Sequence, residues 1–182
     1  MIPETPFNEF GKIARLNRNI VVTEKIDGTN ASVLIGEGGL LGVGSRTRWI
    51  TPQDDNHGFA RYVHEHRGAF EALGPGHHYG EWWGCGIQRK YGIGEKRFSL
   101  FNTARWTPET VPAGLHVVPV LYAGVFNHAE IEFALENLHV SGSKAAPGFM
   151  KPEGIVIWHE AARQMFKVTL EKDEVPKGLV NA

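Results

Sequence analysis

The sequence predicts an α+β domain made of antiparallel sheets with flanking helices. Short apolar runs of strand length recur along the chain, turns rich in glycine and proline separate them, and only two segments show helical periodicity. With 182 residues, 42% of them hydrophobic, the chain is long enough to bury a substantial core. Because no repeat or linker interrupts it, residues 1–182 are expected to form a single domain.

The individual elements follow from local patterns. Asp27-Gly28 is a pair typical of tight turns, so the apolar runs at 20–23 and 31–35 are expected to form a β-hairpin around it. The other predicted strands span 40–45, 77–83, 98–103, 117–125, 154–159 and 164–170, and the predicted helices span 59–71, with Asp54 or Asp55 as its cap, and 129–138.

Net charge limits the class of partner. The formal charge is −1, so the whole protein offers no general attraction for polyanions. One local candidate for a nucleic-acid patch lies between Trp82 and Trp106, where five basic residues accompany the single acidic Glu95. The basic residues are Arg89, Lys90, Lys96, Arg97 and Arg105.

Location is indicated by what the sequence lacks. It contains no apolar stretch of membrane-spanning length, and Met1-Ile2-Pro3-Glu4 does not resemble an export signal. The single Cys85 cannot form an internal disulfide, which fits a reducing compartment. We therefore expect a soluble, cytoplasmic protein with no membrane partner.

Nine histidines suggest a metal site only at first sight. In a helix His64 and His66 point to different faces, and His77-His78 directly follow a Gly-Pro-Gly turn. Because no cysteine or third ligand completes a recognisable set, they are expected to be surface histidines without a functional role.

A reactive lysine is indicated at the end of the first apolar run. The nitrogen of Lys25, next to the Asp-Gly turn, can attack a phosphorus atom and carry a nucleotide. An ordinary hairpin explains the same turn, so this segment alone leaves both interpretations open. Isolated charges in other apolar strands favour the chemistry, because buried charges rarely stand unpaired. These charges are Glu81, Glu153 and Lys167.

Two further residues complete a set suited to nucleotidyl transfer. Arg46 supplies a cation for phosphate, and Phe101 supplies a ring that can stack on a purine. Phe98, three positions before Phe101, is instead expected to pack in the core.

Five segments resemble, in order, motifs I, III, IIIa, IV and V of the covalent nucleotidyltransferases, which comprise DNA ligases, RNA ligases and messenger-RNA capping enzymes. The segments are 25–30, 80–81, 98–101, 153–154 and 166–167. Glu24, Thr29-Asn30 and Arg46-Thr47 make the chain most similar to the RNA ligase 2 type. The resemblance implies a ligase-type nucleotidyltransferase (adenylation) domain.

The resemblance also implies an activity and a role for each residue. The chain would be an ATP-dependent RNA ligase that seals breaks between a 5′-phosphate and a 3′-hydroxyl, with RNA as the preferred nucleic acid and Mg²⁺ or Mn²⁺ as the metal. Lys25 would form the lysyl-adenylate, Glu153 would serve the metal, and Lys167 would contact the α-phosphate. Around the nucleoside, Glu81 would hold the ribose, Phe101 would stack on adenine, and Glu24 would border the adenine pocket. Asn30 and Arg46 would bind phosphates or the 5′-phosphate end. Two alternatives stay open: a small DNA nick ligase, and a self-adenylylating binding or sensor module.

The chain departs from the family pattern at three points. Thr169 stands where motif V often has a second lysine, and Asp27 stands where RNA ligase 2 types often have histidine. Only 15 residues follow Lys167. No C-terminal accessory domain is therefore expected, and a partner protein would supply one.

Overall fold

The computed structural model describes residues 5–171 and residue 173. Its ten strands and three helices confirm the predicted α+β class. The strands are β1 (Asn19–Lys25), β2 (Thr29–Gly36), β3 (Gly39–Ser45), β4 (Trp49–Ile50), β5 (Gly76–Gly84), β6 (Lys96–Leu100), β7 (His116–Val117), β8 (Val120–Val125), β9 (Gly154–His159) and β10 (Gln164–Thr169). The helices are α1 (Phe59–Glu65), α2 (Arg67–Glu71) and α3 (His128–Ser141).

The strands form two sheets. The small sheet has the order β10-β9-β1-β8, and the large sheet has the order β4-β3-β2-β5-β6-β7. Every pairing is antiparallel except that of β6 with β7. The antiparallel prediction is therefore confirmed, with one short parallel pair added at an edge.

The predicted hairpin around Asp27-Gly28 is wrong. β1 pairs with β8 on one side and with β9 on the other, so it has no free edge for β2. The chain instead crosses at residues 26–28 from the small sheet to the large one. Ile26 is buried at this crossing in a small cluster with Trp83 and Tyr91. The turn therefore joins the two sheets, which is why a residue at the end of β1 can meet residues of both.

Helices cover one face of each sheet. Buried residues of α3 pack with Ile20 and Val22 of the small sheet, while α1 and α2 pack with Val33 of the large sheet. The N-cap position of α1 is held by Gly58 rather than by Asp54 or Asp55. Asp55 still satisfies the first turn, because it accepts the backbone N–H groups of Ala60 and Arg61 at 2.8 and 3.1 Å. The opposite faces carry Lys25 on the small sheet and Asn30 and Glu81 on the large sheet. In the described part of the chain, no helix combines the length and apolarity needed to cross a membrane.

Three predicted elements are divided or shortened. The helix over 59–71 breaks at His66 into α1 and α2, and the strand over 98–103 ends at Leu100. The strand over 117–125 is interrupted at Pro119, which has no N–H to donate to a neighbour.

Phe98→Ala is expected to lower the melting temperature far more than Phe101→Ala. The ring of Phe98 is 0% exposed and lies 5.0 Å from that of Phe59 and 5.7 Å from that of Phe70, centroid to centroid. Truncating such a ring costs about 3–5 kcal/mol of unfolding free energy. Phe101 is 40% exposed, so its loss leaves little cavity. Thermal unfolding of both variants checks this, and a larger loss from Phe101→Ala would contradict it.

Candidate active site

Lys25 ends β1 beside the start of β9. The two strands pair with Lys25 opposite Gly154, and this register brings the preceding Glu153 within reach of the lysine. Lys25 Nζ donates to Glu153 Oε2 at 2.7 Å, and the two side chains are 20% and 7% exposed. The fold thus holds an amine at a fixed point, paired with one carboxylate and partly open to solvent.

A second carboxylate, that of Glu81, reaches the same place from β5. Its Oε1 accepts the backbone N–H of Gly28 at 3.0 Å, and its Oε2 accepts Asn30 Nδ2 at 3.0 Å. Asn30 lies opposite Glu81 in the pairing of β2 with β5. One carboxylate therefore ties the turn that follows Lys25 to the large sheet.

Gly28 is required for this close approach. A Cβ atom at Gly28 would lie 2.4 Å from the carbonyl oxygen of Trp82 and 2.7 Å from Trp83 Cβ. Because backbone cannot move aside as a flexible side chain can, any larger residue would push the turn away from β5. The Asp-Gly pair thus serves the crossing between sheets.

The electrostatics at Glu81 are unusual. The pKa of Glu81 is raised to about 7, mainly by burial and to a smaller extent by the nearby charge of Glu153, against the lowering effect of Lys25 and of the hydrogen bonds from Gly28 and Asn30. A carboxyl group beside Lys25 therefore changes its charge near neutral pH.

Glu81→Gln is expected to change how stability depends on pH. The folded-state pKa of Glu81 is raised from 4.5 to about 7, so the stability it contributes is complete below pH 4.5 and is lost as the pH rises through about 7. The shift corresponds to a loss on the order of 3 kcal/mol, which glutamine cannot show because it does not titrate. Urea unfolding of both proteins across this range measures the difference, and parallel stability curves would contradict it.

Glu24 points to the opposite face of the small sheet from Lys25, since neighbouring residues of a strand alternate. Its carboxylate is 1% exposed and accepts Ser143 Oγ at 2.5 Å, Lys144 N–H at 2.7 Å and Ala145 N–H at 2.9 Å. Burial raises the pKa of Glu24, against the effect of these bonds. The carboxylate thus fastens the segment after α3 to β1, and a role of Glu24 at an adenine pocket stays a prediction.

Lys167 shares a sheet face with Lys25. Lys167 of β10 pairs with Val156 of β9, and Val156 pairs with Thr23 of β1. Thr23 comes two positions before Lys25, so the side chains of Lys167 and Lys25 lie on the same face of the small sheet. The side chain of Lys167 is exposed. Thr169 is level with Lys25 in the same ladder, and its hydroxyl donates to the Glu171 carbonyl at 3.0 Å. The motif V segment therefore faces the same space as Lys25.

Sequence reasoning missed the part played by Arg89. Its Nε donates to Asp27 Oδ2 at 3.2 Å and its Nη1 donates to the Lys151 carbonyl at 3.1 Å. The Tyr91 hydroxyl also accepts the N–H of Asp27 at 2.8 Å. Arg89 thereby links the turn after Lys25 to the segment before Glu153. No local pattern signals a contact between positions so distant in the chain.

The predicted basic patch between Trp82 and Trp106 is largely engaged within the protein. Arg89 binds Asp27, Lys96 binds the His57 carbonyl, Arg97 binds Glu95, and Arg105 binds the Leu73 carbonyl. Arg46 differs from these residues, because it is exposed and forms no ion pair within the part of the chain that the structure describes. It is the better candidate for a phosphate contact.

A cavity of about 320 Å³ lies where the two sheets meet. Its lining includes Trp83, Ser99, Leu115, Pro119, Lys144 and Ala145. The Pro119 carbonyl accepts the N–H of Glu24 at 2.9 Å, so the cavity borders the residue before Lys25. Phe101 does not line this cavity. Its backbone N–H donates to the Tyr79 carbonyl at 3.0 Å, which places it farther out on the large sheet.

The histidines form no metal centre. Among residues 5–171 and 173, no group of three or more His, Cys, Asp or Glu lies close enough to hold a metal ion. The surface prediction is wrong for His78 and His159, which are both buried. His78 is hydrogen-bonded to the Gly74 carbonyl at 2.9 Å and has a pKa that burial lowers, and His159 Nε2 is hydrogen-bonded to the Leu16 carbonyl at 2.8 Å.

Solved structures share this fold. Three structures of mutants of Naegleria gruberi RNA ligase match the chain: one apo, one with ATP and Mn, and one with AMP and Mn. They are 19%, 19% and 18% identical to it, with TM-scores of 0.60, 0.60 and 0.61. The matches cover 84%, 84% and 85% of this chain but only 50%, 49% and 50% of theirs, so the chain spans about half the length of these proteins.

Sequence comparison supplies the family. No curated protein matches the chain. Residues 18–169, however, match the profile of the RNA ligase family, and they contain every site residue discussed above. Because that profile spans most of its length, this chain belongs to the RNA ligase family.

Proposed function

We propose that the protein is an ATP-dependent RNA ligase that works through a lysyl-adenylate on Lys25. The observation that carries the proposal is the position of Lys25 Nζ, 2.7 Å from Glu153 and between two carboxylates at the junction of the sheets. Membership of the RNA ligase family supports it. An isolated structural lysine would need neither the turn held by Glu81 nor the clamp formed by Arg89.

Three transfers make up the proposed reaction. First, Nζ attacks the α-phosphorus of ATP, the N–P bond forms as the bond to the β-phosphate breaks, and pyrophosphate leaves. Lys25 must lose a proton to attack, and Glu153 Oε2 is its hydrogen-bond acceptor. Second, a 5′-phosphate oxygen attacks the same phosphorus, and the N–P bond breaks as the amine regains a proton. Third, a 3′-hydroxyl loses its proton, attacks the 5′-phosphorus and displaces AMP.

The residues around Lys25 are suited to binding a nucleoside triphosphate. Lys167, on the same sheet face, would contact the α-phosphate, and Glu81 would accept hydrogen bonds from the ribose. The cavity beside Glu24 falls in the size range of small-molecule sites, and we propose that it takes the base. Phe101 lies outside it, so Phe101→Ala would weaken ATP binding only if this ring closes over the base.

A divalent cation fits one side of the site. Mg²⁺ is usually held by one or two carboxylates together with substrate phosphates and water, rather than by a full set of protein ligands. Glu153, which is 5% exposed, provides such a carboxylate. The cation would neutralise charge on the triphosphate, and two of the matching Naegleria ligase structures contain Mn with ATP or AMP.

Sealing is expected to need more surface than self-adenylylation. The chain matches about half the length of the solved ligase structures, and its net charge is −1. We propose that a further segment or a partner protein supplies the rest of the nucleic-acid surface. With few phosphate contacts, joining by the 182-residue chain should be inefficient, and because each contact releases counterions it should weaken further as salt is added.

The test compares sealing of a nick whose 3′-hydroxyl end is RNA with sealing of an all-DNA nick, at low and moderate salt. We expect weak, salt-sensitive joining that favours the RNA end. A nick is used because a duplex already aligns the two ends, so nicked substrates should be favoured over free single strands. Efficient and salt-tolerant joining of DNA would instead identify a DNA nick ligase. Adenylylation without joining, rescued by cell extract, would identify a self-adenylylating module that hands the strand to a partner.

A further inference from the structure

Three aromatic rings stand in a row on the face of the large sheet that carries Asn30 and Glu81. Trp49 comes from β4, and His77 and Tyr79 come from β5. The ring centroids of Trp49 and His77 are 5.6 Å apart with planes inclined by 19°, and those of His77 and Tyr79 are 4.1 Å apart with planes inclined by 29°. We call these three rings the aromatic stack.

Hydrogen bonds and packing hold the stack in place. His77 Nε2 is hydrogen-bonded to Ser32 Oγ at 3.0 Å, and a bond of 2.8 Å joins His77 Nδ1 to the Tyr79 hydroxyl. Trp49 lies against the backbone of β3, where a Cβ atom at Gly42 would meet its ring at 3.0 Å. Rings fixed in this way lose little conformational entropy when a ligand binds.

The outer rings nevertheless remain in water. Trp49 is 56% exposed and Tyr79 is 55% exposed. The apolar core of the large sheet lies on its opposite face, beneath α1 and α2, and the stack is not part of it. Cross-strand packing explains why the rings touch each other. It does not explain why Trp49 and Tyr79 each leave more than half of their surface exposed to solvent. Such exposed rings indicate a surface that binds planar ligands.

The stack continues from the candidate active site. Tyr79 and His77 precede Glu81 by two and four positions on β5, which corresponds to about 7 and 13 Å along the strand. Arg46 follows Ser45, the residue opposite Ala31, and therefore lies near Asn30. A polynucleotide whose end lies at Lys25 would first meet the exposed Arg46 and then the aromatic stack, along one face of the large sheet.

We propose that, when the RNA strand next to the end that is joined is unpaired, the aromatic stack binds its bases, with Arg46 contacting its backbone. The inference rests on the proposed function and extends it to the strand. Aromatic rings stack on every base, so this contact would hold single-stranded RNA with little regard to sequence, and the cation would complement the phosphates. Single-stranded RNA is the occupant because its planar bases can stack on the aromatic rings and its negative phosphates complement the positive charge of Arg46.

The test is the binding of a short fluorescent single-stranded oligoribonucleotide with a 5′-phosphate, followed by anisotropy with the whole chain. Losing one stacking ring typically weakens binding by 1–3 kcal/mol, so Trp49→Ala and Tyr79→Ala should each weaken it on the order of tenfold, and the double variant more. Trp49→Phe and Tyr79→Phe keep a ring and should retain most of the affinity. The matched control is Phe133→Ala, an aromatic that is 66% exposed on α3, and it should bind like the wild type.

Two measurements separate this inference from the proposed function. The stack lies outside the Lys25 site, so Trp49→Ala and Tyr79→Ala should still acquire AMP from ATP. If the wild type takes up no AMP, the proposed function fails. If it takes up AMP but the double alanine variant binds the oligoribonucleotide as tightly as the wild type, the stack inference alone fails, and the surface would serve a protein contact. Equal loss in the alanine and phenylalanine variants, or no measurable binding by the wild type, would overturn it as well.

Discussion

Lys25→Ala is expected to abolish the covalent attachment of AMP. Incubated with ATP and magnesium, the wild type should gain the mass of one adenylyl group, because Nζ is the amine that Glu153 holds at 2.7 Å in a partly open site. Because the adenylyl group would be bound to this nitrogen, the loss should be complete rather than partial. Intact-protein mass spectrometry measures the result directly.

Two control variants make this result specific. Lys25→Arg keeps a cation beside Glu153 and so preserves the buried ion pair, but it should form no stable adenylate. Lys12→Ala removes an exposed lysine from the segment that precedes β1 and should be labelled like the wild type. A mass gain that persists in Lys25→Ala would place the nucleophile elsewhere and remove the basis of the proposed mechanism.

Much of the site was predictable because charge in an apolar strand is informative by itself. Glu81 and Glu153 each stand beside residues that a sheet buries, and an ionised group in that position needs a partner. Lys167 differs from them, because it and the neighbouring Met165 and Phe166 are exposed. The structure brings Glu81 and Glu153 to Lys25, and it places Lys167 on the same sheet face. The direction of each side chain follows from the twofold alternation of a strand once its partners are known.

What the sequence could not reveal is which strands pair. The alternation around Asp27-Gly28 identifies two strands but does not say whether they pair with each other. In the structure β1 pairs with β8 and β9 instead. The same limit explains why the links of Arg89 to Asp27 and of Trp49 to His77 were missed. Each depends on register between segments that are distant in sequence, and neither leaves a local periodic signal.

Glu153→Ala is expected to slow the formation of the lysyl-adenylate by about 10²–10³-fold, the usual effect of removing one electrostatic stabiliser from a transfer site. Glu153 is 5% exposed, its Oε2 accepts the only hydrogen bond that Lys25 Nζ donates within the described residues, and it is the proposed metal ligand. Its removal would therefore affect both the aim of the nucleophile and the charge on the triphosphate. Single-turnover labelling with saturating ATP measures the rate.

The controls for Glu153 separate chemistry from folding. Glu153→Gln keeps an oxygen that can accept from Nζ but removes the charge, so a rate close to that of Glu153→Ala would show that charge matters more than aim. Glu160→Ala removes an exposed carboxylate just beyond the other end of β9 and should be labelled at the wild-type rate. Melting temperatures of all three variants exclude unfolding as the cause, since removing one partner of a buried ion pair also destabilises a protein. A folded Glu153→Ala variant that reacts within about twofold of the wild type, far from the 10²–10³-fold loss expected, would show that Glu153 only holds Lys25 in place and takes no part in the transfer.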